Sequence, residues 1–152
     1  MITIRKAKIE DCKDVFDWRS DHVTVKMSHS KEAPKWDQHK LWFQKAILNK
    51  NILMFICEDS IQHNKIGVVR FDVNSIDALV SINLSPNMRG KGKSKLCLDA
   101  SITKFKTLFP KVKKINAEIK KENILSENLF KSAGFTFYKY ESNINLYYIN
   151  IH

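Results

Sequence analysis

The chain has 152 residues, 43% of them hydrophobic and 11% aromatic, with a formal net charge of +10. That is apolar material for one domain burying about 68–70% of the surface its unfolded chain exposes, which excludes a disordered chain or a flexible linker array. The charge suits a nucleic-acid backbone or a small polyanionic ligand of the nucleotide type, and a general richness in Lys, Asn and Ile would also produce it.

No apolar run approaches the ~20 residues of a membrane span. Met1-Ile2-Thr3-Ile4-Arg5-Lys6 lacks the apolar centre of a signal peptide. Cys12, Cys57 and Cys97 are far apart and odd in number, so they form neither a metal-type pair nor a disulfide framework. The expectation is a single domain over residues 1–152 in the reducing cytoplasm, with no membrane partner.

Ile2 to Ala7 alternates as a first strand. Glu10 or Asp11 then caps a helix with Cys12, Val15, Phe16 and Arg19 inward, and a polar loop runs through His22, Lys26, His29 and Ser30. Pro34 suits the first turn of a second helix. Trp36, His39 or Lys40, Phe43, Ala46 and Ile47 make its inner face, and residues 49–51 end it. Ile52 to Cys57 is continuously apolar, as in a strand covered on both faces. Lys65 to Val73 and Ala78 to Leu84 follow as strands. Their connections are too short for crossover helices, so the three make an antiparallel meander.

A helix after residue 92 carries Leu98, Ile102, Phe105, Leu108 and Phe109 inward, and Pro110 stops it. This length of crossover lets Val112 to Ile119 lie parallel beside the fourth strand. Asn123 or Ser126 caps a last helix with Leu125, Leu129, Phe130 and Ala133 inward and Gly134 after its end. Phe135 to Tyr140 and Ile144 to Ile149 close as a hairpin. The predicted order is β-α-α-β-β-β-α-β-α-β-β, an α+β fold with one parallel crossover.

The stretch from Ile82 to Lys95 stands apart. A strand ends at Pro86, a basic turn containing Gly90 and Gly92 follows, and a helix begins. A helix start offers unpaired N–H groups and the positive end of the dipole, and glycines leave the backbone accessible to an anion. Arg89, Lys91, Lys93, Lys95 and, more distantly, Lys104 surround it. The stretch reads as a pyrophosphate cradle, with a solvated basic turn as the plain alternative.

Arg89-Gly90-Lys91-Gly92-Lys93-Ser94, between strand and helix, resembles the R/Q-x-x-G-x-G/A signature of the GNAT N-acetyltransferase superfamily. Glu122-Asn123 with Ser126, Leu129-Phe130 and Gly134-Phe135 looks like its second motif, and the element order is similar throughout. Trp18-Arg19-Ser20-Asp21, Lys26-Met27-Ser28 and Gln38 to Phe43 resemble the W-R-N-D … M-S … H-x-x-W-F pattern of a branch acetylating nucleotide-linked amino-deoxy sugars, as in the pseudaminic acid pathway; Ser20 stands where that pattern has Asn.

The resemblance implies a mixed, mostly antiparallel sheet of about seven strands with four helices. Its fourth and fifth strands splay after a β-bulge. It implies acetyl-CoA as cosubstrate, no metal, and direct acetyl transfer to the amino group of a small acceptor, here a UDP-linked amino sugar. Backbone groups of Ile82, Asn83 and Leu84 would meet pantetheine, and residues Arg89, Gly90, Lys91, Gly92, Lys93 and Ser94 the pyrophosphate. Asn123, equally a plain helix cap, would contact the pantetheine arm, with Ser126 and Phe130 on the same side.

Phe130 occupies the usual position of a tyrosine acid. Glu122, Tyr138 and His39 are substitutes in principle, each with a plain alternative: a solvated acid, a strand-face aromatic and a packed helix histidine. Trp18, Arg19 and His39 are the implied acceptor contacts, Trp18 being also a natural core or pocket wall. A homodimer is left open, and no nucleic-acid partner is implied. The alternatives are a protein N-terminus, an antibiotic or a polyamine as acceptor, a basic nucleic-acid-binding module, and a catalytically inactive acyl-CoA-binding domain. A cationic acceptor would need an acidic site, which the overall charge disfavours.

Overall fold

A computed structural model describes residues 1–30 and 32–152. In chain order the elements are β1 (Ile2–Lys6), α1 (Cys12–Ser20), α2 (His22–Met27), α3 (Trp36–Ala46), β2 (Ile52–Asp59), β3 (Lys65–Asn74) and β4 (Asp77–Leu84). They continue with α4 (Lys93–Leu108), β5 (Lys114–Lys120), α5 (Ile124–Ser132), β6 (Thr136–Glu141) and β7 (Ile144–Asn150). One seven-stranded sheet results, in the order β1-β2-β3-β4-β5-β7-β6. Only β4 and β5 run parallel. A parallel step needs a long crossover, and α4 supplies it.

The sheet has a core on each face, and strand alternation divides the residues between them. Leu53, Phe55 and Cys57 of β2 join Phe71, Cys97, Leu98, Phe105, Ile115 and Tyr147 under α4 and α5. Met54 and Ile56 point the other way, to Cys12, Val15, Trp18, Phe43 and Ala46 under α1 and α3. This is why the Ile52–Cys57 run has no polar alternation. Phe71 stacks on Phe105 with centroids 4.2 Å apart and meets Phe55 edge-on at 6.1 Å. Burying each such ring contributes about 1.5–3 kcal/mol.

The entry to α1 is fixed by a buried charge network. Asp11, 1% exposed, receives two hydrogen bonds from Arg5 at 2.8 and 2.9 Å and one from the Lys8 N–H at 2.7 Å. Lys65 Nζ lies 2.7 Å from both Asp11 and Asp14. Arg5 also donates to Glu58 at 2.8 Å, so the network ties β1, α1, β2 and β3 together.

Several expectations need correction. Residues 22–27 are a helix, not a polar loop: Asp21 Oδ2 accepts the Thr24 N–H at 3.3 Å, and no residue of α2 is buried, so no apolar period announced it. α3 begins at Trp36, with Lys35 as its cap, rather than at Pro34. β5 begins at Lys114 because the Val112 N–H turns back to the Phe109 carbonyl. Leu125 is 84% exposed; α5 buries Phe130 instead.

The most consequential correction concerns the strands beside α4. β4 and β5 pair only at Asp77–Lys114, Ala78–Ile115 and Leu79–Asn116, then diverge. The implied β-bulge is absent, since β3 and β4 stay in one register from Asn74–Asp77 to Gly67–Leu84. The gap opens because β5 keeps faith with β7 over its whole length, from Lys114–Asn150 to Lys120–Ile144. Register shifts occur instead between Cys57 and Glu58 and between Phe137 and Lys139. No helix among the described residues is long and apolar enough to cross a membrane.

Candidate active site

The turn after β4 has the shape its glycines suggest. Gly90 (φ 72°) and Gly92 (φ 70°) are both left-handed, and a Cβ built on either meets nothing within 4 Å. The requirement for glycine is therefore conformational, and the space above the turn is open. Gly92 caps α4 without any side-chain bond, leaving the first N–H groups of a 16-residue helix without intrahelical partners. Lys91 and Lys93 make no hydrogen bond or ion pair among the described residues, and the Lys93 charge acts only at longer range, on Asp59 and Cys97. Ser94 is half-buried in the first turn. N–H groups, dipole and lysines together fit a diphosphate.

Two of the other predicted cations do not face this turn. Lys104 Nζ donates to the Ile4 carbonyl at 2.9 Å, at the β1 edge. Arg89 turns inward: Nη1 donates to Asp21 Oδ2 at 2.8 Å, and Nη2 donates to Thr24 Oγ1 at 2.7 Å and to the Leu84 carbonyl at 3.4 Å. The Arg89 guanidinium, with help from the Thr24 N–H and against some loss of solvent, holds the Asp21 carboxyl below the usual carboxylate range. Lys95 pairs with Asp99 on its own helix at 2.7 Å.

Residues 21–29 bridge the gap between β4 and β5. On the β4 side Thr24 Oγ1 donates to Asn83 Oδ1 at 3.3 Å. On the β5 side the buried Lys120 donates to the Lys26 carbonyl at 3.4 Å, and His29 Nε2 lies 3.5 Å from Glu118 Oε1. Ile82 and Asn83 are half-buried at the gap and Leu84 is buried. Beyond β5, Asn123 caps α5, its Oδ1 accepting the Ser126 N–H at 3.1 Å. Phe130 is 3% exposed and packs edge-on against Phe135 at 5.0 Å, deep in the core.

The expected acceptor contacts separate. Trp18 is buried in the core under α1. His39 is 2% exposed and ringed by Phe16, Trp36, Trp42 and Phe43. Its Nε2 donates to the Cys12 carbonyl at 3.0 Å, and its Nδ1 accepts from Arg19 Nη1 at 2.9 Å. Burial holds the imidazole below its usual pKa, with a smaller push from Arg19, the Cys12 bond opposing both. His39 is thus a neutral support for Arg19, with both nitrogens engaged. The Arg19 guanidinium itself lies 5.0 Å above the Trp42 ring, and Arg70 lies 5.3 Å from the same ring.

Register places further charged groups on that same face. Arg70 sits opposite Met54 and Ser81, Asp72 opposite Leu79, and Leu79 beside Asn116. By alternation Asp77 and Glu118 share the face. Asp72, Asp77, Asn116, Glu118, Tyr138 and Leu146 line a cavity of about 270 Å³ beside the gap. Tyr138 reaches it from the β6 register shift and meets Tyr148 edge-on at 5.5 Å. Glu122 does not; it accepts from Asn143 Nδ2 at 3.3 Å at the β6–β7 hairpin.

The sequence reading missed Arg70, Asp72, Asp77, Asn116 and Glu118. Its available signal was the polar pair Arg70 and Asp72, two residues apart inside an apolar strand. No group of three or more His, Cys, Asp or Glu among the described residues could hold a metal ion.

Comparison with known proteins now places the chain. The acetyltransferase (GNAT) domain family matches residues 1–136. Among solved structures, spermidine N-acetyltransferase from Vibrio cholerae, in complex with CoA and spermine, superposes with a TM-score of 0.86 at 20% identity, covering 98% of this chain and 95% of that one. A domain from Methanocaldococcus jannaschii gives a TM-score of 0.86 at 25% identity over 99% of both chains. A dodecameric form of the Vibrio enzyme in an intermediate state gives 0.79 at 21%, over 98% and 93%. No curated protein matches by sequence. The family match extends from β1 to the start of β6 and the fold agrees throughout, so the chain belongs to the GNAT acetyltransferase family and is an N-acetyltransferase with acetyl-CoA as cosubstrate.

Proposed function

We propose that the chain transfers acetyl directly from acetyl-CoA to a primary amine of a small cationic acceptor, the polyamine class being the nearest. The observation that carries this reading is the acid-lined cavity. On a chain of net charge +10, Asp72, Asp77 and Glu118 gather on one face beside the β4–β5 gap. Such a patch concentrates ammonium groups locally whatever the sign of the whole surface. The overall charge, which disfavoured a cationic acceptor, is answered by this local arrangement. The Vibrio cholerae structural neighbours, which are spermidine N-acetyltransferases, agree with it in acceptor chemistry. The nucleotide-linked amino sugar has less support, since two of its three implied contacts, Trp18 and His39, are buried.

Bound acetyl-CoA supplies an acyl thioester, whose carbonyl carbon the amine attacks as the C–S bond breaks. We assign the N–H groups of residues 90–94 and the Lys91 and Lys93 ammonium groups to its pyrophosphate. The backbone of residues 82–84, with Asn123, takes the pantetheine arm. An alkyl ammonium with a pKa near ~10.4 is almost wholly protonated at neutral pH, so a proton acceptor is needed. Glu118 is the carboxylate nearest the end of β5 in the cavity, and it takes the ammonium proton directly or through one water. Tyr138 is the hydroxyl in the same cavity and is assigned as proton donor to the departing thiolate, since Phe130 has none to give.

Steady-state assays with acetyl-CoA and a panel of spermidine, linear diamines and UDP-linked amino sugars test this. Glu118→Gln lowers kcat for the preferred amine by about 10²-fold, and Tyr138→Phe lowers kcat by about tenfold or more. Turnover of the amino sugar with none of any cationic amine overturns the acceptor assignment.

A further inference from the structure

The cavity's acids account for only one end of the face. At the other end Arg19 and Arg70 approach the same Trp42 ring, at 5.0 and 5.3 Å. Neither charge is fully answered. Arg19 donates to a neutral histidine and has no carboxylate partner among the described residues. Arg70 Nε is ion-paired with Asp72 Oδ1 at 3.2 Å, but neither of these buried atoms makes a hydrogen bond. Arg19 is held below its ordinary pKa by burial and, secondarily, by Arg70, so the two guanidinium groups feel each other.

Other buried polar atoms without partners collect here too. Ser20 Oγ, Asn83 Nδ2 and Asn116 Oδ1 join Arg70 and Asp72; all but Ser101 Oγ of the unpartnered atoms lie on or under this face. A folded protein satisfies most buried polar groups, and a concentration of exceptions marks a place where a ligand, an ion or ordered water completes the bonding. Two guanidinium forks on an indole wall suit a planar carboxylate.

We infer that the acceptor is a diamine bearing a carboxylate, an α,ω-diamino acid, whose carboxylate seats between Arg19 and Arg70 against Trp42 while its far amine lies over the acids at the β4–β5 gap. The dimension agrees. Arg70 and Ser81 are directly opposed, and Glu118 is one strand further across the opening gap, so the two ends are at least about 10 Å apart, two paired inter-strand spacings being the minimum. An extended diamino acid of five or six backbone carbons covers such a span. His39, locked between the Cys12 carbonyl and Arg19, is the positioning residue that aims the Arg19 fork. This inference rests on the proposed amine-transfer reading and names the acceptor more narrowly.

L-lysine and cadaverine differ only by the carboxylate and make a matched pair. Wild type prefers lysine by about tenfold or more in kcat/KM. Arg70→Gln abolishes the preference by weakening lysine alone, and Arg19→Lys, which keeps the charge and loses the fork, reduces it in part. Near-UV circular dichroism of the tryptophans checks that each variant is folded.

Calorimetric titration of both diamines onto the protein saturated with CoA gives a readout without turnover. Lysine binds more tightly than cadaverine, and Arg70→Gln equalises them. Cadaverine acetylated as well as lysine, or an Arg70→Gln effect equal on both, overturns the carboxylate subsite and leaves amine transfer standing. Failure to acetylate or bind any diamine, with or without a carboxylate, overturns both readings.

Discussion

Asp21→Asn decides whether Arg89 is a phosphate ligand or a strut between the donor turn and α2. Asn keeps an oxygen for the Thr24 N–H, so the helix cap survives and only the charge opposite Arg89 is lost. The Arg89–Asp21 pair is 2.8 Å long, with side chains 33% and 16% exposed. A charged hydrogen bond contributes about 1.5–3 kcal/mol, and the partial exposure of Arg89 puts this one near the low end, about 1.5 kcal/mol. For a domain of this size that lowers Tm by about 3–6 °C.

The contribution depends on pH in a definite direction. The folded-state pKa of Asp21 is depressed, so the stabilisation is present above the unfolded value near ~3.9 and is lost as pH falls through the folded one. The informative assay is a double-mutant cycle with Arg89→Lys, read in Tm and in KM for both substrates. A strut makes the two changes non-additive, with a coupling of about 1–1.5 kcal/mol, and raises the acceptor KM in both singles because α2 roofs the gap. Additive effects, or an Asp21→Asn protein that binds acetyl-CoA several-fold more tightly because Arg89 is released toward phosphate, would refute the strut.

Asp11→Asn removes a buried carboxylate that faces both Arg5 and Lys65 and leaves those cations uncompensated, at a cost of about 3–5 kcal/mol in urea unfolding. In wild type the Asp11 carboxyl is held far below its ordinary value by hydrogen bonds from Arg5 and Lys65 against the cost of burial, so its stabilisation drains away only as pH falls below about 4. A loss under 1 kcal/mol at neutral pH would show the network to be ornamental. Gly67→Ala places a Cβ 2.7 Å from the Asn83 carbonyl oxygen and 2.9 Å from Leu84 Cα, both backbone, so it pushes β4 away from β3 at the gap; about 1–3 kcal/mol is lost and the acetyl-CoA KM rises. Unchanged unfolding and KM would mean the strands part freely there. Gly92→Ala meets no atom but forces a left-handed alanine, costing about 1–2 kcal/mol and raising the acetyl-CoA KM about tenfold with the acceptor KM unchanged; an equal rise in both would move Gly92 out of the donor site.

The conformation of the turn before α4 was legible from the chain because its information is local. A left-handed glycine before a helix, free N–H groups and lysines follow from consecutive residues. The strand and helix types were legible for the same reason, carried by periodicity. α2 was not, having six residues and no buried face, and neither was the missing bulge, since the β4–β5 gap depends on which strand β5 pairs with. Trp18 and His39 were implied as acceptor contacts by resemblance, and it took the packing to show that both are buried, His39 behind Arg19.

The two ends of the proposed acceptor site come from residues far apart in sequence: Arg19 on α1, Arg70 and Asp72 on β3, Asp77 on β4, Glu118 on β5 and Tyr138 on β6. Nothing in their linear spacing relates them. By itself the amino-acid order determined most of the elements and the glycine turn before α4, whose geometry one or two residues impose through φ and hydrogen bonding. Tertiary structure alone decided that Arg89 turns inward to Asp21 and that three acidic side chains of a basic chain line one cavity, because both depend on which strands are neighbours and on the alternation that sends every second side chain to the same side of the sheet.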